Sequence, residues 1–293
     1  MNTTLRLLAG TFLLAITMMT ELHAQTPDPL ASLVAAERAF ARMAADAGMK
    51  PAFLSWLDDQ GIVFRPDAKN GKAVWSEAPE SRAILAWDPV WAEVSSDGSL
   101  GYTTGPWTFR PSPEEPVASS GTFISVWRRD RNGRWKVMVD LGVSHQLVSD
   151  TTDSVATSTI RPVVPPNAQS AEIERERIHA LEVDLSAQAT VFGFSRAIQP
   201  FVADDTRFNR NGQTPIVGRS AIDGLLAQDQ AQRSWLVSGW DIAGSRDLAY
   251  AWGTYQTVAL EPGAAEKGSY LRIWRRNPAG KWTVALEVTS PLP

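Results

Sequence analysis

Leu30, Leu33, Val34, Ala36, Phe40 and Met43 recur at the spacing of one helical face, which predicts a helix over Leu30 to Ala47 and a second, short one over Pro51 to Leu57 after Gly48. From Gly61 to Trp75 the period shortens to alternation around Asn70-Gly71, a pair suited to a hairpin turn because both positions tolerate positive φ. Pro79 to Trp87 reads as a third helix. Four alternating segments follow, Val90 to Ser96, Ser99 to Phe109, Ala118 to Arg129 and Arg134 to Ser144, the last two joined at Asn132-Gly133. The same order returns later in the chain. Glu172 to Val191, Ser195 to Val202 and Gly218 to Gln228 are predicted helices, and Trp235 to Ala243, Leu248 to Leu260, Gly268 to Arg276 and Lys281 to Thr289 are predicted strands.

The recurrence is a duplication. Gly121 to Asp140 (GTFISVWRRDRNGRWKVMVD) and Gly268 to Glu287 (GSYLRIWRRNPAGKWTVALE) align without a gap. Upstream, Tyr102, Gly105 and Trp107 align with Tyr250, Gly253 and Tyr255, and Val63-Phe64 is aligned with Arg207-Phe208. Two homologous domains are expected, over 28–148 and 170–293. Residues 149–169 between them are rich in Ser, Thr, Pro and Val without helical period and read as an extended linker.

Three helices and a short hairpin ahead of a long sheet ending in Trp-Arg-Arg-x-x-x-Gly-x-Trp resemble the nuclear-transport-factor-2-like superfamily, in particular its SnoaL-like and small exported branches. The resemblance implies an α+β fold of two tandem cone-shaped domains, each with three helices packed on a curved antiparallel sheet around a pocket. It also implies an intramolecular pseudo-dimer packed through the convex sheet faces. Members include polyketide cyclases, ketosteroid isomerases, epoxide hydrolases and proteins without catalysis, so fold alone does not select an activity.

Composition narrows the surroundings of these domains. Met1 to Ala24, with Arg6, the apolar Leu7 to Met19 and Leu22-His23-Ala24, reads as a signal peptide cut before Gln25, giving a periplasmic or secreted protein without a stable membrane anchor. The sequence holds no Cys, which removes disulfides and thiolate chemistry. A net charge of −4 with no basic stripe argues against nucleic acid as a partner. No metal-binding spacing, phosphate loop or Gly-x-Ser-x-Gly occurs, and no cofactor is expected.

The candidate chemistry lies in the sheets. Asp140 and Glu287 are equivalent acids in otherwise apolar terminal strands, and unbroken alternation puts Asp140 with Lys136 and Met138, opposite Trp135, Val137 and Val139. If that face lines the cone, desolvation raises the carboxyl's pKa and suits it to acid–base work; if it is convex, Asp140 is a solvated or inter-domain charge. In the cyclases and isomerases of the resembled family a sheet carboxylate acts with a second acid, Tyr or His on a C–H beside a carbonyl, which implies Asp140 as base with Tyr102 or His145 as donor. Neither copy has a Tyr on its first helix, so steroid isomerisation is not expected.

The chain has 12 Trp, of which Trp56, Trp75, Trp87 and Trp91 lack a Trp counterpart in the second copy and are expected to roof a pocket, with Phe64 and Trp107 as further ligand-binding residues. Phe208, Trp235, Tyr250 and Glu287 form the corresponding set in the second copy. Three functions compete: binding of a small apolar or aromatic ligand in the first domain, a cyclase, isomerase or dehydratase reaction using Asp140, and a non-catalytic scaffold for polysaccharide or protein.

Overall fold

A computed structural model describes residues 28–147, 154–229, 231–258 and 265–292. The expected signal peptide and the first part of the linker lie outside the described residues. In the first half, α1 (Pro29–Ala47), α2 (Met49–Trp56) and α3 (Gly71–Glu77) accompany β1 (Leu57–Phe64), β2 (Ala68–Asn70), β3 (Ile84–Trp87), β4 (Trp91–Val94), β5 (Leu100–Arg110), β6 (Ser119–Arg129) and β7 (Trp135–Ser144). The second half has α4 (Ala171–Phe192), α5 (Phe194–Ile198), β8 (Val202–Arg210), β9 (Gln213–Val217), α6 (Arg219–Gln228), β10 (Arg233–Ile242), β11 (Leu248–Thr257), β12 (Lys267–Arg276) and β13 (Trp282–Pro291). Each half is an α+β unit with helices over a single sheet.

The helices begin and end for local reasons. Asp28 caps α1 by accepting from the Leu30 amide, and Pro29 occupies the first turn, where a missing N–H costs nothing. Leu33, Ala36, Phe40 and Ala44 bury one face of α1; Ile178, Leu185 and Ala189 do the same for α4. Both helices stop at a glycine of positive φ, Gly48 at 92° and Gly193 at 88°, from which α2 and α5 start in a new direction.

The sheets run β2-β1-β7-β6-β5-β3, with β4 also on β5, and β10-β11-β12-β13-β8-β9. They are antiparallel except where β1 lies parallel to β7 and β8 parallel to β13. That exception follows from the helices at the start of each half, which deliver the first strand alongside the last.

Three local expectations are corrected. Asn70-Gly71 is not the hairpin turn: the chain reverses over 65–67, and Asn70 instead caps α3, its side chain accepting from Ala73 N at 2.9 Å. Gly71 packs closely there: a Cβ would stand 2.8 Å from Leu57 Cδ1 and 3.0 Å from Val63 Cγ1, so those side chains would have to shift. The segment read as a helix over Pro79 to Trp87 ends in strand β3, which pairs with Thr108 and Trp107 of β5. Asp88, Pro89 and Val90 then separate β3 from β4, whereas β10 covers the same edge of the second sheet as one strand with a register shift at Val237/Gly239.

The third correction concerns which way side chains face. Trp127 pairs with Val137 and Val126 with Val139, so Met138 is an extra residue that bulges β7. The face counted straight through Trp135, Val137 and Val139 is therefore split: Trp135 and Val137 join the core under the helices, and Val139, Leu141 and Val143 turn to the other side. Asp140 comes onto the helix side with Trp135 and Val137. Ala285 does the same to β13 in the second half.

The faces turned away from the helices meet. Tyr102, Ile124, Val139 and Leu141 of the first half share one buried cluster with Tyr250, Leu271, Ile273 and Leu286 of the second. Arg275 crosses to Glu93 at 2.7 Å, Arg128 pairs with Asp241, and the Ser96 amide donates to Asp247 at 3.0 Å. The described part of the linker touches both halves, through the Trp91–Ala156 bridge and the hydrogen bond from Ser158 to Asp205.

Candidate functional site

A cavity of about 400 Å³ opens between the helices and the concave face of the first sheet. Phe53 of α2, Trp87 of β3, Trp107 and Phe109 of β5 and Phe123 of β6 form its walls, and Asp140 of β7 lies on its floor. Arg65, exposed on the β1–β2 turn, stands at the rim over the Trp75 ring.

Beneath this floor is a buried acid that the sequence motifs did not single out. Glu37 of α1 is fully buried and accepts from Trp87 Nε1 at 2.6 Å, Trp127 Nε1 at 2.8 Å and Thr103 Oγ1 at 2.5 Å. Burial raises its pKa, and these hydrogen bonds only partly oppose the rise. Asp140 is pushed from its ordinary 3.8 up to about 7, first by burial and then by the Glu37 carboxylate, with the Ser125 hydroxyl and Arg65 pulling the other way. Ser125 lies opposite Asp140 on β6 and donates to it at 3.1 Å.

The second half repeats the two acids and changes what stands between them. Glu182 of α4 takes the place of Glu37 and accepts from Trp274 Nε1 at 2.6 Å; Glu287 takes the place of Asp140. Opposite Glu287, where the first half has Ser125, stands Arg272, fully buried, bonded to Glu182 at 2.5 Å and to Glu287 at 2.9 Å. Arg210 adds a second cation on Glu287 at 2.5 Å. Burial alone would raise the Glu287 pKa, but Arg272 and Arg210 outweigh it and hold the carboxyl below its ordinary value. The second interior is thus a filled ion-pair triad, and the first is a hollow with an uncompensated acid pair.

The candidate residues divide by face. Trp87, Trp107 and Asp140 line the first cavity, and Trp56 packs nearby against Trp127 with ring centroids 5.7 Å apart. Trp91 and Tyr102 do not reach it: they lie on the convex face, where the Trp91 indole and Glu93 bond to the Tyr102 hydroxyl at 3.1 and 2.5 Å. Tyr250 occupies the matching convex position. His145 also sits away from Asp140, its Nε2 2.8 Å from Thr122 Oγ1 in a cleft between the halves. In the second half, Phe208 and Trp235 belong to the core under the helices, with Trp235 over the Arg272 guanidinium.

Phe64 corrects the alignment of the two copies. Val63 pairs with Asp140 and Phe208 with Glu287, so the partner of Phe208 is Val63, one residue earlier than the sequences suggest. A slip of one residue reverses the face, and the Phe64 ring accordingly meets Trp252 across the halves, 6.0 Å between centroids, although Phe64 still borders the cavity. Among the described residues no group of three or more His, Cys, Asp or Glu is placed to hold a metal, and no helix is long and apolar enough to cross a membrane.

The raised Asp140 pKa has a stability consequence with a definite sign. Between 3.8 and about 7 the folded protein holds a proton that the unfolded chain has released, so this group's contribution falls as pH rises through that window. Asp140→Asn should match the wild type in stability at pH 4 and exceed it at pH 8, by on the order of 4 kcal/mol at most, seen as a higher melting temperature. Thermal melts at the two pH values check this; a variant less stable at pH 8 than at pH 4, relative to wild type, contradicts the burial of the charge.

No protein-family model matches this chain, and no curated protein matches it. Solved structures do. An NTF2-like protein of unknown function from Pseudomonas putida is 18% identical, with 42% of this chain and 89% of that one covered and a TM-score of 0.35. An NTF2-like protein with a cystatin-like fold from Novosphingobium aromaticivorans is 19% identical over 41% of this chain and 83% of its own, with a TM-score of 0.34. A ketosteroid isomerase-like protein from Erwinia carotovora atroseptica is 18% identical over 38% and 94%, with a TM-score of 0.31. What this chain shares with each of them has the length of one of its halves.

Proposed function

We propose that the first half binds a small, ring-bearing, largely apolar ligand whose hydrogen-bonding group rests on Asp140, and that the second half serves as its intramolecular partner without a working site of its own. The observation that carries this reading is the exchange of Arg272 for Ser125, which leaves a cavity of about 400 Å³ walled by aromatic rings and floored by one carboxyl. That size and lining suit a small organic molecule. Near neutral pH an Asp140 carboxyl with a pKa of about 7 is present in both forms, so it donates to or accepts from the ligand.

The same value favours a second reading, proton transfer. A carboxylate poised near pH 7 in an apolar pocket suits removal of a proton from carbon beside a carbonyl.

Two probes separate these readings. Titration with 2-naphthol and 2-tetralone, followed by quenching of tryptophan emission, should show binding that Trp107→Ala weakens about tenfold or more. Equal affinity in the folded variant would remove the binding reading. Incubation of 2-tetralone in deuterated buffer then reads catalysis: loss of the α-proton NMR signal that depends on Asp140 supports proton transfer, and exchange at the same rate with Asp140→Asn excludes it.

A further inference from the structure

A second cavity, of about 310 Å³, lies outside both cones, in the cleft where the convex face of β8 meets the first half. Val90, Pro106 and Pro215 give it apolar walls. Its polar side comes from Arg207 and Asn209, neighbours on one face of β8, with Thr214 from β9 beside them.

Two of these side chains hold buried polar atoms without a hydrogen-bond partner among the described residues. Asn209 is 1% exposed, yet neither its amide nitrogen nor its amide oxygen has a hydrogen-bond partner among the described residues. A buried amide in this condition is rare and costly, and its usual explanation is a group that belongs there. The Arg207 guanidinium carbon stands over the Trp91 ring, 3.9 Å from its centroid, and the Arg207 Nε is likewise buried without a hydrogen-bond partner. Burial works against its charge, with Tyr102, Glu93 and Asp205 supporting it from nearby. Those two carboxylates are already engaged by Arg275, at 2.7 and 2.6 Å, so Arg207 is the cation left over. On the opposite wall, Thr122 and His145 are bonded to each other.

We propose that this cleft is a binding site for a small organic anion, a carboxylate with a hydroxyl on the neighbouring carbon and an apolar body. Arg207 and the Asn209 amide N–H take the carboxylate oxygens, and the Asn209 amide oxygen accepts from the hydroxyl, which satisfies both ends of the amide at once. The apolar walls take the remainder of the molecule. This site is independent of the ligand proposed for the first cone, from which it is separated by the thickness of the sheet.

Calorimetric titration with mandelate tests it, with phenylacetate, which lacks the hydroxyl, and mandelamide, which lacks the charge, as comparators. Mandelate should bind the wild type, phenylacetate several-fold more weakly and mandelamide about tenfold more weakly or worse. Arg207→Gln should cost mandelate about tenfold or more, while Trp107→Ala, in the first cone, should not change its affinity. Asn209→Leu should weaken mandelate binding and raise the melting temperature of the unliganded protein, because it removes an amide with no partner. A merely structural Asn209 would give the opposite melting shift. The proposal is overturned if mandelate fails to bind at millimolar concentration, if Arg207→Gln binds it as well as wild type, if Trp107→Ala abolishes binding, or if Asn209→Leu melts lower.

Discussion

Ser125→Arg is expected to turn the first cone into a likeness of the second. The new guanidinium would stand opposite Asp140 and near Glu37, where Arg272 stands between Glu287 and Glu182. An adjacent cation stabilises the ionised form, so Asp140 should fall from about 7 toward the ordinary carboxylate range. The side chain also fills the floor of the cavity, and affinity for 2-naphthol should drop by about 100-fold or more. Carboxyl-carbon NMR titration and fluorescence titration of one protein sample read both effects. If Asp140 still titrates near 7 and the probe binds undiminished, the single serine is not what keeps the first cone open.

Arg272→Ala should be the most destabilising single change in the second half. It strands the fully buried Glu182 without a cation and leaves the equally buried Glu287 with Arg210 alone. Breaking such a network costs about 3–5 kcal/mol, which at typical urea dependence lowers the unfolding midpoint by about 1–3 M. Joint replacement by Glu182→Gln and Arg272→Met, with Glu287 kept on Arg210, should restore most of the loss, because no unpaired charge then remains buried. Glu287 adds a pH signature. Its folded pKa is depressed, so its contribution is present above the ordinary 4.5 and disappears as pH falls through the folded value. The gap between wild type and the single variant should therefore narrow in acid. Urea melts showing no loss for Arg272→Ala at pH 7 would refute the ledger of charges given above.

The fold was largely legible because its signals are periodic and occur twice. Leu33, Ala36 and Phe40 on α1, and the Trp127/Trp274 and Trp135/Trp282 pairs in the terminal hairpins, mark the same elements in sequence and structure. What was not legible depends on single residues that shift a register. Met138 is unremarkable in sequence, yet its bulge decides that Asp140 faces the cavity; a gapless alignment hides that Val63, not Phe64, corresponds to Phe208. Asn70-Gly71 serves a cap or a hairpin turn equally well, and here Asn70 caps α3 while Gly71 packs against Leu57.

The candidate site was half visible. Asp140 stands out as an acid in an apolar strand, whereas Glu37 falls on the apolar face of an amphipathic helix, one turn after Leu33, where a charged residue is easily passed over. Its signal lay in the comparison of copies, since Glu182 holds the same place one turn after Ile178. Ser125 and Arg272 were likewise aligned in plain view. Matching residues reveal shared architecture, while the mismatch between these two separates a filled interior from an open one.

The joined convex faces have a consequence for how such a difference arises. In a homodimer every substitution appears in both subunits, and a residue that fills one interior fills the other. Here the partner is encoded in the same chain, so Tyr102, Ile124, Leu271 and Leu286 keep the pair together at any dilution while each interior changes independently. Covalent fusion thus releases the protein from symmetry. One interior is free to fill with ion pairs, and the other keeps a hollow that, duplicated across a symmetric dimer, would burden the assembly with two pairs of uncompensated acids instead of one.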